Sequence, residues 1–164
     1  VYKRQLQDTK IFQGTIRENI AYGKPNASIE EIKQAAELSF ANTFIEKLPD
    51  GYDTYISNSD MLSEGEVQLL NIARIMLIKP PILILDEATS NIDLLTEDMI
   101  KKAILELTSN STSIIIAHRL STIKNCDFIV FIEDGNIVEV GTHDELINKK
   151  GAYYNMYKSQ FNLI

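Results

Sequence analysis

The sequence predicts an α/β fold, a parallel sheet with an accompanying α-helical subdomain, and three observations carry that prediction. Short continuous apolar runs at residues 82–85 (ILIL), 113–116 (SIII) and 128–132 (FIVFI) have the pattern of strands buried on both faces of a parallel sheet. Between the first two runs, Ile100, Ala103, Ile104 and Leu107 share one helical face, so the order is strand, helix, strand, a βαβ unit. In the first third of the chain the apolar period is three to four, which predicts helices there.

Taken in order, Ser28 and Glu31 fit a capping box. Ile29, Ile32, Ala36, Phe40, Phe44 and Leu48 then recur at helical spacing, as one amphipathic helix or two in succession. LPDGYDT at residues 48–54 is a turn-rich break, and SNSD at residues 57–60 is a polar loop. A second helix is expected over residues 65–78, stopped by Pro80 and Pro81. Residues 128–133 and 136–140 flank Asp134 and Gly135, a two-residue hairpin signal that places an antiparallel pair near the end of the sheet. The tail, residues 144–159, reads as short helices whose Tyr153, Tyr154 and Tyr157 are packing residues.

Bulk properties exclude several functions. The 164 residues, 45% hydrophobic and 24% charged, are enough for one sizeable core. A formal charge of −7 with 16 scattered basic residues disfavours nucleic acid, whose phosphates need clustered Lys and Arg. The single Cys126 closes no intramolecular disulfide, suits a reducing compartment, and is read as a small packing residue. No apolar run approaches the roughly 20 residues that span a bilayer.

The stretch PPILILDEATSNID, residues 80–93, is an apolar strand that delivers two carboxylates to a polar loop. Such an end suits the metal and base side of a nucleotide triphosphatase, yet the phosphate-loop pattern GxxxxGK[ST] is not in the chain. Taken with LSEGEVQLLNIARIML before it, IIIAHRLSTI and DGNIVEVGTHDEL after it, and LQDTKIFQGTIRENI at the start, it resembles the ATP-binding cassette of exporter-type ABC transporters. The five segments stand in that family's order and spacing over nearly the whole chain. The resemblance implies a P-loop NTPase-like (RecA-like) core, with the phosphate loop and the adenine-stacking aromatic upstream of this N-terminally truncated piece. It divides the chain into residues 6–79, holding the Q-loop, helical subdomain and signature helix, and residues 80–164, holding the rest of the core. Val1 to Gln5, VYKRQ, resembles the translated end of a sequencing adapter and is set apart.

The resemblance assigns roles to individual residues. Asp86, at the carboxyl end of its strand, is expected to hold Mg²⁺ through the ion's water shell. Glu87 is expected to orient or deprotonate the attacking water, and His118 to contact the γ-phosphate and steady Glu87. Gln7 matches the Q-loop glutamine, whose amide can reach both Mg²⁺ and that water. The following residues, 8–19, would face the membrane domain. Asp93 matches the D-loop aspartate at the dimer seam, and it equally fits a helix N-cap. Leu62, Ser63, Glu64, Gly65 and Glu66 stand where the family has LSGGQ, forming a cradle for the γ-phosphate of ATP held by the other subunit. Glu64 and Glu66 depart from that pattern, and ISNSDM before them lacks the family's usual GERG-like stretch. His143 carries no catalytic role.

The expectation is therefore the motor domain of an exporter at the cytoplasmic face of the membrane, hydrolysing MgATP in a head-to-tail dimer with a second nucleotide-binding domain. It would drive a transmembrane domain fused upstream, and the isolated piece would be inactive. The alternative is a regulatory or scaffold module with a hydrolytically weak composite site. A DNA-repair or chromosome-architecture ATPase would lead into coiled coils, and no sustained heptads are present.

Overall fold

Two of the first helices start where a hydroxyl residue precedes a glutamate by three positions. In the computed structural model, which describes residues 11–86, 92–109, 111–117 and 123–161, Thr15 opens α1 (Ile16–Ile20) and Ser28 opens α2 (Ile29–Leu38), each with a complete capping box. The expected helical stretch is a pair. Ser39 ends α2, its hydroxyl donating to the Ala36 carbonyl at 3.1 Å and accepting from the Ala41 N–H at 3.3 Å. Phe40 takes a left-handed φ of 64° before α3 (Asn42–Ile45) begins. Two short strands, β1 (Gly14–Thr15) and β2 (Tyr55–Ile56), pair antiparallel beside them.

The chain divides into two compact units, one made of residues 1–84 and 88–114, the other of 85–87 and 115–164. In the first, α4 (Glu64–Ile78) is the central element, packed on α1, α2 and α5 (Leu94–Thr108). Its Leu70 and Ala73 are fully buried with Ile16, Ile20, Ala36 and Ile45 from the helices around it. Burying each large aliphatic side chain contributes about 1.5–3 kcal/mol. Polar residues on α4 are confined to a line of Gln68, Asn71 and Arg74 at three-residue spacing after its first turn.

Arg74 spends that polarity internally. Its Nε donates to the Asn19 carbonyl and one Nη to Asn19 Oδ1, both at 2.6 Å, while the other Nη donates to Asn71 Oδ1 at 2.6 Å. Asn19, 1% exposed, in turn accepts from the Phe12 N–H at 2.9 Å and donates to the Phe12 and Thr15 carbonyls at 2.9 and 3.0 Å. The guanidinium also lies 5.3 Å from the centre of the Phe12 ring, which stacks on Tyr22. Burial pulls the Arg74 pKa down, but a guanidinium keeps its charge at any ordinary pH.

α4 and α5 are in tight contact at Gly65. A methyl group there would run into Thr96 Cγ2 and meet Ile92 Cγ2 at 3.3 Å. The far end of α4 stops as the prolines predict, with Lys79 left-handed at φ 52° and its N–H donating to the Ile75 carbonyl at 2.9 Å.

β3 (Ile82–Asp86) and β4 (Thr112–Ile116) are neighbours in a two-stranded sheet, and α5 connects them. The Thr112 N–H donates to the Pro81 carbonyl at 3.1 Å, so the two strands begin side by side, as the βαβ reading requires. Burial on both faces, however, is not found. Leu83 is buried, while Ile82, Ile84, Ile114 and Ile116 are 64%, 65%, 55% and 50% exposed. The apolar runs are written for a covering layer on both sides, and the described residues supply one on a single side.

The second unit contains β5 (Ile129–Glu133), β6 (Asn136–Gly141), α6 (His143–Lys149) and α7 (Ala152–Phe161). Asp134 and Gly135 form the hairpin turn with φ of 47° and 75°, as their sequence predicts. Among the described residues this hairpin is a sheet of its own and does not extend β3–β4. Val138 is an extra residue in β6: Ile132 pairs with Ile137, but Phe131 pairs with Glu139. Ile129, Leu146 and Tyr153 form the core of this unit, with Phe131, Met156 and Tyr157 against it. His143 Nδ1 and the Tyr153 hydroxyl share a hydrogen bond of 2.8 Å, and the Glu139 carboxylate accepts the Tyr153 N–H at 2.9 Å. Tyr153 and Tyr157 are packing residues, as expected, while Tyr154 lies outside this core with the Lys158 ammonium 6.0 Å from its ring. Cys126 is half-buried, and burial together with the Asp127 charge pushes its thiol pKa up, away from reactivity.

Arg74→Ala should lower stability by about 2–4 kcal/mol, because it removes the guanidinium donors to the Asn19 carbonyl and to Asn19 Oδ1, which keeps only the Phe12 N–H. Arg74→Lys should recover little of this, since a single ammonium cannot reproduce the fork. Gly65→Ala should cost about 1–3 kcal/mol through overlap with Thr96. Urea unfolding of the three variants checks all of this, and near wild-type midpoints would contradict it.

A pH titration of stability tests the helix caps. Hydrogen bonds hold the exposed carboxyls of Glu18 (from the Thr15 N–H), Glu31 (from Lys24) and Glu145 (from the Thr142 N–H) below their unfolded value of 4.5. Their folded pKa values are depressed, so this stabilisation is complete above 4.5 and is lost as pH falls through the lower folded values. The triple Glu→Gln variant should show a shallower acid slope in thermal melts between pH 5 and about 3.

Candidate functional site

The first turn of α4 is built by its own sequence. Ser63, extended at φ −67° and ψ 158°, is the N-cap. Its hydroxyl accepts from the Glu66 N–H at 3.3 Å, and Glu66 Oε2 accepts both the Ser63 N–H at 2.8 Å and the Ser63 hydroxyl at 2.9 Å. Leu62 and Glu66 are half-buried, Ser63 and Glu64 are exposed, and Gly65 is buried. The loop before the turn closes through the Ser57 N–H and hydroxyl, each 3.4 Å from Met61 Sδ.

Asp93 caps α5, its Oδ1 accepting from the Leu95 and Thr96 N–H groups at 3.1 and 3.0 Å. Hydrogen bonds from Thr96 are the main reason its pKa is lowered. Thr96 is also the residue that closes on Gly65, so the first turns of α4 and α5, with Ser63 and Asp93 at their starts, are brought together. Asp86 is exposed at the carboxyl end of β3. Gln7, Glu87 and His118 lie outside the described residues.

The chemistry this arrangement offers is anion recognition at a helix N-terminus, where unpaired N–H groups and the helix dipole favour negative charge. No group of three or more His, Cys, Asp or Glu converges on a possible metal position among the described residues.

Sequence reading recognised one capping box of the four that form among the described residues. TIRE at Thr15, SEGE at Ser63 and THDE at Thr142 carry the same signal as SIEE at Ser28. It also passed over Asn19 and Arg74, although a polar line along an otherwise apolar helix marks a buried polar contact.

No helix among the described residues is long and apolar enough to cross a membrane. The sequence profile of the family described as ABC transporter matches residues 3–90. The chain is 53% identical over 157 residues to the uncharacterized ABC transporter ATP-binding protein YfiC of Bacillus subtilis, covering 95% of this chain and 26% of that protein. It is 52% identical over 155 residues to a putative multidrug export ATP-binding/permease protein of Staphylococcus aureus, covering 94% and 27%. The chain thus spans about a quarter of the length of these curated relatives. Among solved structures, that of a bacterial Atm1-family ABC exporter with ATP bound is similar with a TM-score of 0.82 and 42% identity, covering 94% of this chain and 27% of that one. A matching profile over more than half the chain, relatives above 50% identity and a shared α/β fold establish that this chain belongs to the ABC transporter family.

Proposed function

We propose that this chain is part of the ATP-hydrolysing motor domain of an ABC exporter, working at the cytoplasmic face of a membrane. It would act in a head-to-tail dimer with a second nucleotide-binding domain and drive a transmembrane domain of the same polypeptide. The observation that carries the reading is the joining of the Ser63 and Asp93 helix starts at Gly65, in a chain 42% identical to an exporter solved with ATP bound. Relatives named for both ATP binding and permease parts support the fused membrane domain.

In this reading residues 6–79 contribute the Q-loop, helical subdomain and signature turn, and residues 80–164 the rest of the core. Asp86 and Gln7 would hold Mg²⁺, which would supply charge neutralisation for the nucleotide's phosphates. Glu87 takes the proton of the water that attacks the γ-phosphorus, the bond to the leaving ADP oxygen breaks in line, and inorganic phosphate is released. His118 contacts the γ-phosphate and keeps Glu87 aimed. Ser63, with the first-turn amides at Glu64, Gly65 and Glu66 and with Leu62 anchoring the turn, faces the γ-phosphate of the partner's ATP, and Asp93 stands at the seam. A regulatory module with one weak composite site is the second reading, and the hold of Glu66 on Ser63 favours it.

In the full-length protein, Glu87→Gln keeps the shape of the side chain and removes the base. Hydrolysis should fall about 100-fold or more, and an ATP-bound closed dimer should accumulate. Ser63→Ala should weaken closure on the partner's nucleotide and leave ATP binding at the chain's own site intact. Unchanged turnover per site in Glu87→Gln at saturating MgATP would overturn the motor reading in favour of the regulatory one.

A further inference from the structure

Resting on the exporter reading, we propose that Glu66 is an autoinhibitory anion held in the chain's own signature turn, which closure on the partner's nucleotide must displace. A single carboxylate oxygen, Glu66 Oε2, receives both the Ser63 N–H at 2.8 Å and the Ser63 hydroxyl at 2.9 Å. The Ser63 hydroxyl has one proton to give, and it is given to Glu66. Its oxygen is occupied as well, accepting the Glu66 N–H at 3.3 Å.

An incoming phosphate oxygen is the same kind of partner as the carboxylate: anionic, an acceptor, and drawn to the same helix start. The two compete for one proton, and a carboxylate left in place repels the phosphate. This closed geometry is the ordinary resting state of the motif, since Glu18 Oε2 takes the Thr15 N–H and hydroxyl in the same way at 2.7 and 3.0 Å. A glutamine at residue 66 could retain the reciprocal bond through its amide oxygen but would bring no charge. The fraction of turns with Glu66 displaced scales the apparent affinity for the partner's nucleotide. Charge at residue 66 thereby sets the MgATP concentration at which the dimer closes.

The test uses the full-length protein and MgATP as the probe, with dimer closure read by cross-linking or energy transfer and turnover measured alongside. Glu66→Gln should lower the half-saturating MgATP for closure about three- to tenfold. Glu66→Ala should shift it in the same direction, which guards against an effect peculiar to the amide. On a Ser63→Ala background, Glu66→Gln should give a clearly smaller gain, because the contested proton is gone and only the charge repulsion is relieved. If Ser63→Ala weakens closure but Glu66→Gln leaves the midpoint unchanged or raises it, the competition is wrong while the exporter reading stands. If Ser63→Ala has no effect on closure, the partner contact itself is wrong and the inference falls with it.

Discussion

The buried bond between Asn19 and Arg74 is the constraint that organises the larger unit. It joins residues 55 positions apart, and the same Asn19 amide bonds the Phe12 N–H and carbonyl. A half-buried guanidinium is stabilised when its donors are used, and here three go to Asn19 and Asn71 in a planar fork. The segment around Phe12 is thus tied to α4, whose first residues are Glu64, Gly65 and Glu66. A displacement of α4 along its axis would be felt at Phe12 and Tyr22, and the reverse holds. This is a mechanical link between two parts that the motor reading assigns to opposite tasks, contact with a membrane domain and contact with a partner's nucleotide.

Local information in the sequence is legible where local physics decides. The Ser28 capping box, the stop at Pro80 and Pro81, and the Asp134–Gly135 turn each depend on a few adjacent residues, and each forms as read. Asp93 combines a candidate site position with an N-cap, which its own two hydrogen bonds account for. What the sequence did not reveal depends on distance along the chain. Asn19 finds its partner far away, Gly65 is required by Thr96 across a helix contact, and both look unexceptional beside their immediate neighbours.

The apolar strands teach a different lesson. The runs at residues 82–85 and 113–116 correctly announce strands, but the burial that their composition implies needs neighbours on both sides, and Ile84 and Ile114 are bare in this chain. Composition records the environment in which a strand was selected, and exposure records the environment that is present. The candidate site is legible to a similar degree. The motif order pointed to Ser63, Gly65, Asp86 and Asp93, while the commitment of the Ser63 proton to Glu66 is a matter of hydrogen-bond geometry.

The bulge at Val138 sets how the second unit ends. By placing one extra residue on the outer side of β6, it brings Glu139 opposite Phe131, on the face that carries Tyr153, where the carboxylate meets the start of α7. Were Val138 instead to pair with Phe131 in an uninterrupted ladder, Glu139 would stand opposite Val130, and the Tyr153 N–H would lose its carboxylate acceptor although no residue that touches it had changed. The terminal helix is therefore secured by register: the bulge at Val138 decides which face of β6 Glu139 joins.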